Sequence, residues 1–196
     1  MDSRQILSTR GLNTLMFNDP YAKLCCTSIF ASQFDRVIYV DLDTTFTAYF
    51  MAGLVNASQI DIYLPSEGRF ASMIKDVLAL MPSSSLVIFD SVNSFYNMFK
   101  AQERTGSLNH LLSIFLMLLV RQGVDSGVPV LATSMLRYRK DGGWVQSPAS
   151  RRLLQHKSAV KLSVERQDSD LALKVVEHES MPQGTEVVYR NSTITV

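Results

Sequence analysis

The sequence predicts a three-layer α/β domain whose mostly parallel central sheet is extended by antiparallel strands toward the C-terminus. Three observations carry this prediction. Residues 12–17, 36–42, 85–90 and 128–134 are short, nearly unbroken apolar runs, the pattern of parallel strands covered on both faces. Segments with helical spacing lie between these runs, so strand and helix alternate. Beyond residue 158 strand-like segments follow one another with only turn chemistry between them, which leaves no room for crossover helices. At 196 residues the chain fits one domain, 1–196, large enough to bury a core without disulfides or metals.

Residues 12–17 (LNTLMF) form the first strand, closed by Asn18-Asp19-Pro20, and residues 21–34 carry apolar side chains at helical spacing. The second strand is 36–42 (RVIYVDL), and 60–64 is a shorter version of it. Helices are expected over 47–54 and over 70–81, where Phe70, Met73, Ile74, Val77 and Leu78 share a face. Residues 85–90 (SLVIFD) end a buried strand in a carboxylate, and 107–122 is apolar nearly all round, as a core helix would be. After the strand 128–134 (VPVLATS), residues 136–150 read as the one long irregular insertion, a kind of segment that is usually functional. Strands are then expected over 159–165, 171–176, 186–189 and 193–196.

With 19 Lys+Arg against 18 Asp+Glu, whole-chain charge gives no sign of a polyanionic partner, so any such sign must be local. Cys25 and Cys26 are adjacent, which disfavours both an ordinary disulfide and a spaced metal cluster; a reducing, cytoplasmic setting is expected, or the nucleus in a eukaryote. The first residues lack the apolar core of a signal peptide, and the most apolar run, 111–120, is too short to span a bilayer, so no membrane partner is expected.

Ligands of open α/β sheets bind at the carboxyl ends of strands. Three ends stand out: VIYVDLDTTF with Asp41 and Asp43, SLVIFDS with Asp90, and VLATSM with Thr133, Ser134 and Met135. Taken in order with LMFNDPYAKLCC (15–26), these elements resemble the ATPase core of the RecA superfamily, especially the archaeal and eukaryotic recombinases and their paralogues. That family opens its core with a phosphate loop, ends a second strand in Asp-x-Glu before a Thr-Phe pair, and ends a third in Asp-Ser. The tail, with a His before a strand, a charged hairpin, a Pro-containing loop and a last hairpin, is also similar. The resemblance spans nearly the whole chain and implies a RecA-like fold of the P-loop NTPase type.

The departures bear on activity. A phosphate loop of the form G-x-x-x-x-G-K-[ST] needs glycines so that N–H groups converge on phosphates, a Lys for their charge and a hydroxyl for Mg²⁺. Here, without gaps, Asn18 and Lys23 fall at the glycines, Leu24 at the lysine and Cys25 at the hydroxyl. Sliding the register makes Lys23 the lysine only by shortening the loop. Pro20 removes a further N–H. Asp43 stands where the resemblance implies the catalytic Glu, and Met135 where it implies a polar sensor. The resemblance thus leaves a vestigial nucleotide site of Lys23, Asp43 and Asp90, with no ATP or Mg²⁺ cofactor, no other metal and no catalysis expected.

Read from residue type alone, Asp41, Asp43 and Asp90 are strand-end or helix-capping carboxylates before they are Mg²⁺ ligands, and Lys23 is a solvated helix residue. Cys25 and Cys26 face the core. His156 makes a structural hydrogen bond, while His110 and His178 have no spacing that suggests catalysis or zinc.

The most functional-looking stretch is 136–157, LRYRKDGGWVQSPASRRLLQHK, with six basic residues and one acid. Tyr138 and Trp144 interleave with Arg137, Arg139, Lys140, Arg151 and Arg152 around Gly142-Gly143, the mixture of cations and aromatic faces that single-stranded nucleic acid requires. In the recombinases the corresponding segment is a DNA-binding loop. The expectation is a non-catalytic recombinase paralogue, a pseudo-ATPase that binds single-stranded DNA, or RNA, through these seven residues. Its partner would be a RecA-family recombinase or paralogue subunit, or further copies of itself. Two alternatives stay open: an architectural subunit of an Elongator-like ring that binds tRNA, and a KaiC-like protein with an altered nucleotide site.

Overall fold

The computed structural model describes residues 2–57, 59–99, 105–146, 154 and 158–190. In chain order the elements are β1 (Leu12–Phe17), α1 (Pro20–Gln33), β2 (Val37–Asp41), α2 (Thr45–Met51), β3 (Ile60–Tyr63), α3 (Phe70–Leu80) and β4 (Leu86–Asp90). They continue with α4 (Val92–Met98), α5 (Thr105–Ser126), β5 (Val130–Arg139), β6 (Gly143–Gln146), β7 (Ser158–Gln167), β8 (Asp170–Glu177) and β9 (Glu186–Tyr189). The sheet order is β3-β2-β4-β5-β1-β7-β8-β9, with β6 paired to β5 outside that path. From β3 to β7 the neighbours run parallel, while β8 and β9 add antiparallel ladders. The RecA-like, mostly parallel sheet with an antiparallel C-terminal extension is therefore present.

Alternation along the central strands shows why the runs are apolar throughout. On β2, Val37 and Tyr39 enter one core with Phe30 of α1 and Phe46 of α2, whereas Ile38 and Val40 enter the other with Phe70 of α3, Phe95 of α4 and Leu112 of α5. Both faces of β2 and β4 are covered, so both strands are apolar up to their terminal acids apart from the Tyr39 hydroxyl. In the second core Phe70 meets Phe115 edge-on at 4.5 Å between ring centroids and Phe95 at 5.2 Å. Cys25 and Cys26 are free thiols in the first core, and burial pushes both thiols up from their ordinary pKa.

Three expectations need correction. Residues 136–146 are not an irregular insertion: β5 continues past residue 134 to Arg139 and turns back as β6, giving an antiparallel hairpin. The chain also forms α4, a helix not expected from the sequence, capped by Ser91, whose hydroxyl accepts from the Ser94 N–H. Finally, α5 is longer than its apolar run. It is the one described helix long and apolar enough by length and composition to cross a membrane, yet Leu108, Leu112, Leu116 and Leu119 are packed in the domain core. The expected strand 193–196, His156, Arg151 and Arg152 lie outside the described residues.

Gly123 of α5 lies so close to the following strand that a Cβ there would stand 2.6 Å from the Val128 carbonyl oxygen and 2.8 Å from Val130 Cγ2. Because the first contact is with backbone, Gly123→Ala is expected to destabilise the fold by about 1–3 kcal/mol despite alanine's better helix propensity. Thermal denaturation followed by circular dichroism checks this, and an unchanged or raised melting temperature would show that α5 and β5 are not so closely apposed.

Candidate functional site

β1, β2, β4 and β5 are adjacent or nearly so in the sheet and parallel, so their carboxyl ends converge on one edge, where α1 also begins. In-register pairing of β2 with β4 sets Asp41 directly beside Asp90. Asp43, two residues on, turns back over them, and one oxygen from each of the three carboxylates lies within 4.8 Å of the others. Three like charges this close are tolerated only with compensation.

Lys23 supplies it. Rather than extending into solvent, as its helix position suggested, Lys23 is 1% exposed. Its Nζ lies 2.7 Å from Asp90 Oδ2 and 3.0 Å from Asp43 Oδ2, and 5.6 Å from the centre of the Phe17 ring. Burial works to lower the ammonium's pKa, but the charges of Asp90 and Asp43 and their hydrogen bonds outweigh it and hold the group above the ordinary lysine value. Around Asp90 the remaining acceptor sites are filled as well: the Tyr39 hydroxyl donates to Oδ2 at 2.7 Å and the Thr133 hydroxyl to Oδ1 at 2.5 Å. Burial, with the neighbouring Asp90 charge, raises the Tyr39 phenol well above its usual value, so Tyr39 is a fixed donor.

The other two carboxylates open α2. Asp41 Oδ2 accepts from the Thr47 N–H at 2.8 Å and the Thr47 hydroxyl at 2.6 Å, and Asp43 Oδ1 accepts from the Thr45 N–H at 3.1 Å. Both stabilise the orphan donors of a helix N-terminus. Their titration diverges. Burial holds the Asp41 carboxyl above the usual carboxylate range, opposed by Thr47 and reinforced by Asp90 and Asp43. Burial also pushes Asp43 upward, but the Lys23 ammonium dominates and holds it below that range. Asp41 Oδ1 is buried with no hydrogen-bond partner among the described residues.

The start of α1 is closed in the complementary sense. Pro20 occupies its first turn without an N–H, and Asp19 Oδ1 accepts the Tyr21 N–H at 2.9 Å. Free N–H groups at a helix N-terminus attract phosphate; here a carboxylate of the chain already sits on one of them. The edge thus carries a tethered anion at the helix end and a tethered cation among the acids. A magnesium-bound nucleotide triphosphate at this edge would meet the Asp19 carboxylate and Pro20 at the start of α1 and Lys23 among the acids.

The structure brings Lys23, Asp43 and Asp90 together and corrects the expectation that Lys23 is solvated. It adds buried Tyr39 and half-buried Thr47, and sets Thr133, already marked by its strand end, against Asp90. A tyrosine within the aliphatic run VIYVD was the available signal for the first of these.

Five of the second group of candidates lie on the β5–β6 hairpin, which runs beyond the last β1 partner, Met135, with β6 as its only ladder neighbour among the described residues. Its root is held by the Asn93 side chain, whose Oδ1 accepts from the Met135 N–H at 2.7 Å. Its turn closes with the Gly142 N–H donating to the Arg139 carbonyl and Gly143 at φ +66°, a left-handed conformation that favours glycine. Arg137, Tyr138, Arg139, Lys140 and Trp144 are all exposed, and none of the cations is ion-paired with a described residue. Tyr138 and Trp144 are register partners with ring centroids 5.6 Å apart and nearly perpendicular planes.

No protein-family model and no curated protein matches this sequence. Among solved structures, a crystal structure of the RadB recombinase is similar over 96% of this chain and 92% of that chain, with a TM-score of 0.67 at 15% sequence identity. At that identity the likeness establishes a shared fold, the RecA-like core.

Proposed function

From this RecA-like core we propose a non-catalytic subunit, a pseudo-ATPase that holds single-stranded nucleic acid on the β5–β6 hairpin and works beside a recombinase subunit in recombination and repair. The observation that carries this reading is the division of charge. The cation of the former nucleotide edge is consumed internally by Asp43 and Asp90, while Arg137, Arg139 and Lys140 stand exposed on a protruding ribbon with two aromatic side chains. Unpaired cations beside exposed rings are what a flexible polyanion with stackable bases selects. The recombinase named in the structural comparison supports the setting, and Arg151 and Arg152, outside the described residues, are proposed as further nucleic-acid contacts.

Two measurements test it. A labelled oligothymidine should bind at low salt, and the triple variant Arg137→Ala, Arg139→Ala, Lys140→Ala should lose most of that affinity. No binding, or binding indifferent to the triple change, would remove the nucleic-acid role. Calorimetry with ATP and Mg²⁺ should show no heat of binding, whereas micromolar affinity would restore a nucleotide-dependent protein. Preference for folded tRNA over the oligothymidine would instead favour the architectural ring reading.

A further inference from the structure

The hairpin's side chains are sorted by strand geometry. Successive residues of a strand point to opposite faces, so Leu136 and Tyr138 share one face of β5 while Arg137 and Arg139 share the other. The cross-strand pairs are Leu136 with Gln146, Arg137 with Val145, Tyr138 with Trp144 and Arg139 with Gly143. One face of the ribbon is therefore aromatic, with Tyr138 64% and Trp144 49% exposed, and the other is cationic. Opposite Arg139 stands a glycine, which leaves that face open beside the guanidinium.

This separation constrains the ligand. In a nucleotide the phosphate is joined to its base through a single sugar, so a strand stacking on Tyr138 and Trp144 leaves its own phosphates near the aromatic face. The backbone of the ribbon, with side chains projecting from both sides, stands between those phosphates and Arg137 and Arg139. Two strands that part at one point satisfy both faces together: a terminal base pair offers a flat apolar surface to the rings, and the departing strand offers phosphates to the guanidinium groups. Among the described residues the ribbon is two strands wide, and its two faces point away from each other, as two parting strands require. We propose that the β5–β6 hairpin recognises the junction between double- and single-stranded DNA, its Tyr138/Trp144 face against the last base pair and its Arg137/Arg139 face along the separated strand. This rests on the nucleic-acid reading above and specifies its substrate.

The test uses three labelled DNA probes of equal total length in anisotropy titrations of the full chain: a single strand, a blunt duplex and a fork with two unpaired arms. The fork should bind at least about tenfold more tightly than either other probe, and Trp144, the only tryptophan, should be quenched most by the fork. Tyr138→Ala and Trp144→Ala should bring fork affinity down to the single-strand level. Arg137→Ala with Arg139→Ala should weaken the fork and the single strand alike. Unchanged melting temperatures establish that the variants are folded, as expected for exposed positions. Equal affinity for fork and single strand, or a fork preference that survives loss of both rings, overturns this inference and leaves single-strand binding standing. Absence of binding to all three probes overturns both.

Discussion

Replacing Lys23 with methionine is expected to destabilise the domain by about 3–5 kcal/mol, because removing one partner of a buried ion pair leaves the other uncompensated. Methionine fills much the same space, so the loss measures charge rather than a cavity. Asp90 retains the Tyr39 and Thr133 hydroxyls, but these neutral donors do not balance two adjacent carboxylates. For a domain of this size the loss corresponds to a melting temperature lower by roughly 6–20 °C. Adding Asp43→Asn and Asp90→Asn to Lys23→Met removes the stranded charge and should recover most of it. A Lys23→Met variant within about 1 kcal/mol of the parent would refute the buried pair.

The pH dependence gives an independent reading of the same cluster. Asp43 is held below its ordinary value, so the unfolded chain binds more protons on acidification. Its contribution is complete above about pH 4–5 and is lost as pH falls through the depressed value. Lys23 is held above its ordinary value, so its contribution is complete below about pH 10 and is lost as pH rises through the elevated one. Urea midpoints of the parent should therefore fall above about pH 8, where the unfolded chain releases the thiol protons that burial retains on Cys25 and Cys26, and further above about pH 10 with Lys23, while in acid the loss from Asp43 is opposed by Asp41, whose carboxyl is held above its range. In Lys23→Met the Asp43 carboxyl loses the ammonium that held it below its range, and the deficit relative to the parent should shrink as the pH is lowered toward 4. A deficit independent of pH would mean that Lys23 acts by packing alone.

The layers and sheet were readable because VIYVD and LVIFD are buried on both faces, and nothing but a parallel strand between two helix layers accounts for such runs at that length. The burial of Lys23 was not readable. A lysine in a helix is exposed by default, and its inward course is decided by Asp43 and Asp90, which are distant in sequence and meet it only once β2 and β4 have paired. The hairpin escaped for a different reason. Leu136-Arg137-Tyr138-Arg139 alternates apolar and charged residues, but four residues are too short a period to outweigh the basic composition around them, so MLRYR reads as the start of a loop even though β5 runs through it. α4 has only seven residues, too few for a helical period to declare itself. Composition singled out the cations and rings of the hairpin; only the register showed that they occupy two faces.

That two-faced arrangement makes the salt dependence of fork binding the most discriminating measurement on the hairpin. Each phosphate neutralised on a single strand contributes about 0.7 to the slope of log affinity against log salt concentration. The triple variant Arg137→Ala, Arg139→Ala, Lys140→Ala should therefore lower that slope by roughly 2, with a loss on the order of 100-fold at 50 mM salt that narrows as salt rises. Tyr138→Ala and Trp144→Ala should behave differently, each weakening binding by about 1–3 kcal/mol through lost stacking while leaving the slope unchanged. Titrations at four or five salt concentrations separate the two classes. If the ring variants changed the slope, or the cation variants lowered affinity equally at every salt concentration, the hairpin would be acting through its fold rather than through phosphate and base contacts. Arg151→Ala with Arg152→Ala belongs in the same series: a further fall in slope of about 1.4 is expected if both reach phosphates, and no change would confine the cationic surface to the hairpin.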